Sequence, residues 1–314
     1  MNIFVVIEVM IKLLAVMLLG FFLCRKDILN DEVCKKLSWM VVNITSPLLV
    51  IASVFQVQVD DRGIVWGILL TAMLCYVGYV VVAILLTWVL RIPKGKRGVY
   101  QFILVFANAG FMGYPVVQSL IGTEAIFYAS IFCIPFNLLV YTYGVVVLRN
   151  DVMEEGDGGE ENQFHLKSII NVGTISSIIA IIVFVFAIPL PGVVVEFCDM
   201  VGNTTTPLSM LILGASLADI SLKETFRDKY LYLLAALRLI AIPILVCIGC
   251  RAFGVDSLTT AVATITAAMP GASMSVMMAK TYGGNEDLAS KGVVLTTILT
   301  VATLPIVVAL THIV

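Results

Sequence analysis

Two short segments rich in glycine and proline carry the polar residues best suited to bind a small anion. The first runs from Asn108 to Pro115, and the second runs from Pro270 to Ser273. Proline removes a backbone donor and glycine tolerates unusual dihedral angles, so both segments are expected to interrupt helices. The second half of an interrupted helix begins with free N–H groups and a partial positive charge, which favour an anion. The candidate contacts are Asn108, Gly110, Gly113, Pro115, Pro270, Gly271, Ala272 and Ser273.

A nine-residue pattern that occurs twice supplies a second set of candidates. Met40–Leu48 reads MVVNITSPL, and Met200–Leu208, 160 residues later, reads MVGNTTTPL. Each copy places small polar residues beside a proline within an apolar stretch. Such residues also form hydrogen bonds between membrane helices, so both a binding role and a structural role stay open for them. These candidates are Asn43, Ser46, Asn203 and Thr206.

The composition places all of these residues in a membrane protein. Of the 314 residues, 60% are hydrophobic and only 13% are charged, and the mean hydropathy is +1.05. A soluble domain has about a quarter of its residues charged, so this chain is expected to be embedded in a lipid bilayer. The formal net charge of −2 gives no basis for a nucleic-acid partner. The seven cysteines show no metal-ligand spacing, and no metal or cofactor is predicted.

Ten apolar runs are long enough to be membrane-spanning helices, which need about 20 residues each. The one long polar segment, 150–167, is rich in acidic residues and glycine and is expected to be a mobile linker. It divides the chain into a first half, 1–149, and a second half, 168–314. The ten runs are 2–23, 37–55, 63–90, 99–119, 123–148, 168–189, 195–218, 230–252, 257–280 and 287–313.

The distribution of lysine and arginine orients these spans. If the N-terminus is extracytoplasmic, the inner loops hold fourteen of these residues, whereas the outer loops hold only Arg62 and Arg251. Positive residues concentrate on the cytoplasmic side, so both termini are predicted outside the cell membrane and the linker inside. The fourteen are Arg25, Lys26, Lys35, Lys36, Arg91, Lys94, Lys96, Arg97, Arg149, Lys167, Lys223, Arg227, Lys229 and Lys280.

Five spans in each half imply that the second half enters the membrane inverted relative to the first. The predicted fold is therefore an all-α polytopic membrane protein of two inverted five-helix repeats. Gly122-Thr123-Glu124 and Gly284-Asn285-Glu286 align 162 residues apart, which sets Asn108 opposite Pro270. Matched interruptions in spans four and nine of an inverted repeat are typical of a transporter that works by alternating access.

Three of the charged residues inside predicted spans are functional candidates. Glu8 and Lys12 are four residues apart on span one and can pair on one helix face. Arg238 in span eight is a candidate buried cation, with Asp219, Glu196 or a substrate carboxylate as its partner. Ionisable residues within a membrane are functional candidates by default, although structural pairing stays open for all three. Neither histidine lies in mid-membrane, so coupling to H⁺ or Na⁺ is left open.

The motifs resemble those of the auxin efflux carrier family, in its bacterial branch of PIN-like membrane transport proteins. Asn108–Pro115 is similar to the fourth-span motif of that family, Pro270–Gly283 to the ninth-span motif and Thr206–Leu217 to the seventh. The resemblance covers nearly the whole chain. It implies that helices four and nine are broken and cross, and that a transport part moves against a scaffold part like an elevator.

The resemblance also implies small organic anions as substrates. These are indole-acetate in the plant members and dicarboxylates such as malate or malonate in the bacterial relatives. By position, Asn108 matches the asparagine that contacts the carboxylate, and Pro115 and Pro270 match the helix crossover. Two features depart from the plant pattern, since the central linker is short and Ala107 and Ala109 flank Asn108 where a second proline is found in plants.

Two other classes of protein are the alternatives. A channel or a membrane-embedded ligand sensor with the same fold stays open. An enzyme is not predicted, because a serine nucleophile at Ser273 needs a nearby histidine base and His312 is expected roughly 15 Å away in depth. The sequence therefore predicts a secondary transporter of small carboxylates. The substrate, the direction of transport and the oligomeric state, a homodimer included, are not fixed by these patterns.

Overall fold

The computed structural model describes residues 3–56, 63–155, 172–218 and 229–313. Within this part of the chain the structure is helical, apart from one isolated antiparallel bridge between Ala107 and Gly271. The prediction of an all-helical chain is confirmed. The helices are α1 Ile3–Arg25, α2 Asp31–Met40, α3 Ser46–Ser53, α4 Ile64–Val89, α5 Arg97–Val105, α6 Tyr114–Leu120, α7 Glu124–Leu139, α8 Val145–Glu155, α9 Val172–Val185, α10 Gly192–Gly202, α11 Thr205–Ala218, α12 Lys229–Ala236, α13 Ile242–Ala252, α14 Ser257–Ala267, α15 Met274–Tyr282 and α16 Glu286–Thr311.

Each predicted span coincides with one helix or with a pair of helices that follow one another. The second predicted span starts earlier than residue 37, because the Asn30 side chain accepts a hydrogen bond from the Val33 N–H at 3.1 Å and begins α2 at Asp31. At the end of the first half, α8 continues to Glu155, past the predicted boundary at 148. The predicted linker from residue 156 onward lies outside the described residues.

Several helices have the length and surface of membrane spans. Large apolar side chains cover their outer faces, and Trp66 and Trp88 at the two ends of α4 are 71% and 72% exposed. Such a surface suits lipid, and the chain is a multi-pass membrane protein. The count of ten spans and their orientation stay predictions. Five stretches in the described part of the chain are long and apolar enough to cross a membrane, namely Glu32–Ser53, Ile64–Val89, Glu124–Asn150, Tyr230–Ala252 and Glu286–Thr311.

The helices pack in two groups. The first helix group consists of α1–α3 and α9–α11, in which α1 lies along α11 and α3 contacts both α9 and α10. The second helix group consists of α4–α8 and α12–α16, in which α4 contacts α5 and α7, and α16 contacts α12 and α15. The groups touch where α7 meets α3 and α9 and where α1 meets α16. Both interrupted spans belong to the second group.

Glycines bring the backbones of α1 and α11 into direct contact. A Cβ atom added to Gly214 would clash with the Met17 carbonyl oxygen, and one added to Gly20 would clash with the Leu211 carbonyl oxygen. Small residues let membrane helices approach this closely, and the close approach supplies packing that lipid cannot replace. Glycine is therefore required at both positions by the helix pair itself.

The two copies of the nine-residue pattern meet each other in the folded chain. The Thr205 hydroxyl donates a hydrogen bond to the Thr45 hydroxyl at 2.9 Å, and both side chains are buried. These threonines occupy the same position in the two copies. Contacts between equivalent residues are expected close to a two-fold axis. The bond between Thr45 and Thr205 therefore supports the two-fold relation of the halves that the sequence predicts.

We expect Gly214→Ala to destabilise the protein by about 1–3 kcal/mol, because the added methyl group must push α1 away from α11. Gly67→Ala is the matched control, since nothing lies within 4 Å of a Cβ at Gly67 in α4. The apparent Tm of each purified variant in detergent measures the effect. Equal Tm values for the two variants would contradict the close contact.

Candidate functional site

Both predicted interruptions are present in the second helix group. Helix α5 ends at Val105, and residues 106–108 run in a non-helical path to a π-helical turn, Ala109–Gly113, that leads into α6. In the other half, α14 ends at Ala267 and the chain passes through 268–273 before α15 begins. Each interruption therefore leaves one helix C-terminus and one helix N-terminus inside the protein.

The two interruptions cross and hydrogen bond to each other. The Asn108 N–H donates to the Pro270 carbonyl at 2.8 Å, and the Ala272 N–H donates to the Phe106 carbonyl at 3.0 Å. A side chain of α16 completes the crossing, because the Thr296 hydroxyl accepts from the Gly271 N–H at 3.1 Å. Backbone groups freed from a helix are thus paired within the protein, as they must be inside a membrane.

The side chains of Asn108 and Ser273 join the crossing from opposite halves of the chain. Asn108 Nδ2 donates to Ser273 Oγ at 3.1 Å, while the Asn108 carbonyl accepts from the N–H groups of Met112 and Gly113. Asn108 is 4% exposed and Ser273 is half-buried. A side-chain amide has two N–H donors, and the serine hydroxyl adds another. The pair therefore offers donors for an acceptor beyond its own hydrogen bond.

A cavity of about 240 Å³ opens beside this pair. The starts of the two second-half helices, at Gly110 and Met274, form part of its wall. The first N–H groups of a helix have no partner within the helix, so these helix starts add donors and partial positive charge. None of the described side chains that line the cavity is charged. Its polar side chains are Ser46, Asn108, Tyr114, Cys133, Asn137, Tyr141 and Ser273.

A larger groove of about 420 Å³ lies between α4 and α13, but it lacks these features. Its walls are mostly apolar, and Leu74, Val77 and Leu245 are more than half exposed on its rim. A binding site for a small polar molecule needs a few convergent polar groups, which the crossing has and the groove does not.

The structure separates the predicted contacts of the crossing into two sets. Asn108, Gly110, Ala272 and Ser273 line the cavity, whereas Gly113, Pro270 and Gly271 shape the crossing without lining it. A Cβ at Gly271 would lie only 2.9 Å from Ile103 Cγ2, so a larger residue does not fit at this position without a shift of its neighbours. Pro115 lies in the first turn of α6, seven residues beyond Asn108, so it starts that helix instead of forming the crossing.

Of the four candidate contacts in the repeated pattern, Ser46 alone lines the cavity. Asn43 Nδ2 donates to the Trp39 carbonyl of its own helix at 2.9 Å. Asn203 and Thr206 both bond to Gln118 of α6, a residue that the sequence patterns did not single out. Gln118 Nε2 donates to Asn203 Oδ1 at 2.7 Å, and Gln118 Oε1 accepts from the Thr206 hydroxyl at 2.9 Å.

Asn137 was also missed by the sequence patterns. It lies in α7, two residues after Pro135, and its side chain is buried and lines the cavity. An amide within an apolar span is the signal that could have identified it, because buried polar side chains in membrane helices require a partner.

The charged candidates lie away from the cavity wall. Lys12 Nζ and Glu8 Oε1 are 2.6 Å apart on α1, and both side chains are exposed. Arg238 is fully buried, and its Nη1 donates to the Leu104 carbonyl at 3.2 Å. Asp219, one of the partners suggested for Arg238, lies outside the described residues.

We expect Thr296→Val to destabilise the protein by about 1–3 kcal/mol, because it leaves the Gly271 N–H buried without an acceptor. The neighbouring Thr297→Val is the matched control. Thr297 is buried too, but its hydroxyl bonds only to the Val293 carbonyl of its own helix. Thermal unfolding of both variants measures the difference, and a cost as large at Thr297 would contradict this role of Thr296.

Comparison with known proteins agrees with the geometry. Residues 5–308 match the family described as Membrane transport protein. Two archaeal proteins, each called an uncharacterized transporter, are similar along almost their whole length. The chain is 23% identical to the one from Methanothermobacter thermautotrophicus, over 95% of this chain and 96% of that protein. It is 25% identical to the one from Methanocaldococcus jannaschii, over 92% and 94%. The chain therefore belongs to the Membrane transport protein family, which is the auxin efflux carrier family that its interrupted spans resemble.

Proposed function

We propose that this protein is a secondary transporter of small carboxylates that works by alternating access. The observation that carries the proposal is the crossing, where Asn108, Ser273 and two helix N-termini surround a cavity without a charged wall. A carboxylate is the ligand class that these groups favour, since they are donors and partial positive charges.

The cavity also limits the size and shape of the substrate. Its volume of about 240 Å³ lies just below the usual range of about 300–1,000 Å³ for small-molecule sites, so a compact anion fits best. Phe111, Phe136 and Met274 line it and would hold the hydrocarbon part of the substrate. Within the described part of the chain, no acidic side chain lines the cavity to repel a carboxylate.

Alternating access is supported by the two helix groups. In the proposed cycle the second group, which contains the crossing, moves like an elevator against the first group as scaffold. The proposed topology has ten spans in two inverted repeats, with both termini outside the cell membrane. Contacts between equivalent positions, such as Thr45 with Thr205 and Asn108 with Pro270, support such a repeat.

We expect Asn108→Asp to weaken carboxylate binding by at least about tenfold, because a like charge at the anion contact costs several kcal/mol. Asn108→Ala is expected to abolish transport by removing the donor. Asn43→Ala is the matched control, since Asn43 bonds only within its own helix and does not line the cavity. Thermal-shift titration with malonate and indole-3-acetate measures binding, and proteoliposome uptake measures transport.

Saturable uptake with counterflow is expected for a carrier, whereas a channel gives uptake that does not saturate and shows no counterflow. A sensor binds the anion without moving it. Either of these results, or unchanged binding in Asn108→Asp, would contradict the proposal.

We expect Gln118→Leu to shift the balance between the two proposed states while anion binding persists. The substitution removes the bonds of Gln118 to Asn203 and Thr206, each worth about 0.5–1.5 kcal/mol, so the populations should change roughly tenfold. Pulsed electron resonance between spin labels at the exposed positions Trp88 in α4 and Phe197 in α10 reports the state.

Thr142→Val is the control for Gln118→Leu, because the Thr142 hydroxyl bonds only to the Leu138 carbonyl of its own helix. The population of molecules with a second distance between the labels should increase in Gln118→Leu and not in Thr142→Val. Identical distance distributions in all three proteins would show that Gln118 does not hold the two groups together.

A further inference from the structure

Arg238 is the one charged side chain that is buried among the described residues. Its exposed fraction is 0%, and it lies in a π-helical turn, Leu237–Ala241, between α12 and α13. A buried charge is costly unless it is paired, and a guanidinium does not lose its proton in a protein. π-helical turns inside α-helices are frequent at functional sites. The position of this cation therefore calls for an explanation.

The described neighbours of Arg238 compensate its charge only in part. Nη1 donates to the Leu104 carbonyl at 3.2 Å, whereas Nε and Nη2 have no partner within the described part of the chain. The Leu104 carbonyl belongs to the last turn of α5, where the carbonyl groups carry a partial negative charge. The buried side chains of Tyr76 and Tyr79 lie near the guanidinium.

The cation lies close behind the wall of the cavity at the crossing. Leu104 precedes Asn108 by four residues, so the two are at most about 14 Å apart. Tyr76 is near both, since it lies close to Arg238 and its ring centroid lies 6.4 Å from that of Phe136, which lines the cavity. Arg238, Leu104 and Tyr76 are buried, so little water screens the charge.

We propose that Arg238 is the fixed counter-charge of the carboxylate site, an inference that rests on the proposed function. In this proposal Arg238 does not touch the substrate. Its electrostatic field favours an anion over a neutral molecule of the same shape. One negative charge on the substrate balances the one buried positive charge. A monocarboxylate therefore needs no bound cation to be carried by the second helix group.

The expected size of the effect follows from Coulomb's law. For an assumed separation of about 12 Å between the guanidinium and the carboxylate, and an effective dielectric constant of about 20, Coulomb's law gives a roughly tenfold change in the binding constant. A neutral ligand does not feel this term. The ratio of the affinities for an anion and its neutral analogue therefore isolates the charge of Arg238 from its packing.

The test compares binding of indole-3-acetate and indole-3-acetamide to the full chain in lipid nanodiscs. Arg238→Gln removes the charge but keeps a donor for the Leu104 carbonyl, and Arg238→Lys keeps the charge. We expect Arg238→Gln to weaken the binding of indole-3-acetate roughly tenfold and to leave the binding of indole-3-acetamide within about twofold of the wild type. Arg238→Lys should bind indole-3-acetate within about threefold of the wild-type affinity.

A wild-type measurement makes the test independent of how well the variants fold. The affinity for indole-3-acetate in choline chloride should equal that in sodium chloride within about twofold, and a sodium requirement would overturn the proposal. An equal loss for both ligands in Arg238→Gln, or no loss for either, would also overturn it. These results leave the proposed function intact if the wild type binds indole-3-acetate. If the wild type binds neither indole-3-acetate nor malonate, both the proposed function and the role of Arg238 are wrong.

Discussion

The structure depends on one constraint, which is that backbone groups freed from a helix inside a membrane must find partners within the protein. The crossing meets it in three ways. The two interruptions pair with each other through Asn108 and Pro270, the Thr296 hydroxyl accepts the Gly271 N–H, and Arg238 donates to the Leu104 carbonyl. The N–H groups that remain at the two helix starts border the cavity, where a ligand can accept from them. The proposed binding site thus consists of the donors at the two interruptions that the protein itself does not pair.

Glycine serves two different needs in this fold, and the structure separates them. At Gly271 the backbone crosses another chain segment beneath Ile103, and at Gly214 a whole helix lies against the backbone of its neighbour. By contrast, nothing lies within 4 Å of a Cβ at Gly110, which lines the cavity, so there the missing side chain leaves room beside the helix start. Close packing and open space therefore both follow from the same small residue.

Local signals in the sequence were enough to place the helices and both interruptions. Hydrophobic runs predicted the helical segments, and glycine with proline predicted where spans four and nine break, because these effects act within a few residues. The partners of Gln118 and Arg238 were not predictable in this way. Gln118 bonds to Asn203 and Thr206, 85 and 88 residues away, and Arg238 bonds to a carbonyl 134 residues away. Pro115 was expected at the crossing but begins α6, because a proline fits the first turn of a helix as well as it fits a break.

In the proposed inverted repeat, equivalent positions of the two halves carry different side chains. The 162-residue shift that sets Asn108 opposite Pro270 also sets Gln118 opposite Lys280. A glutamine amide both donates and accepts, so Gln118 bonds to Asn203 and Thr206 together, whereas a lysine ammonium only donates. In the proposed cycle the repeat supplies two related states, and unequal contacts give them unequal free energies. In that proposed cycle the inverted repeat makes both states available, and the bonds of Gln118 bias the choice between them.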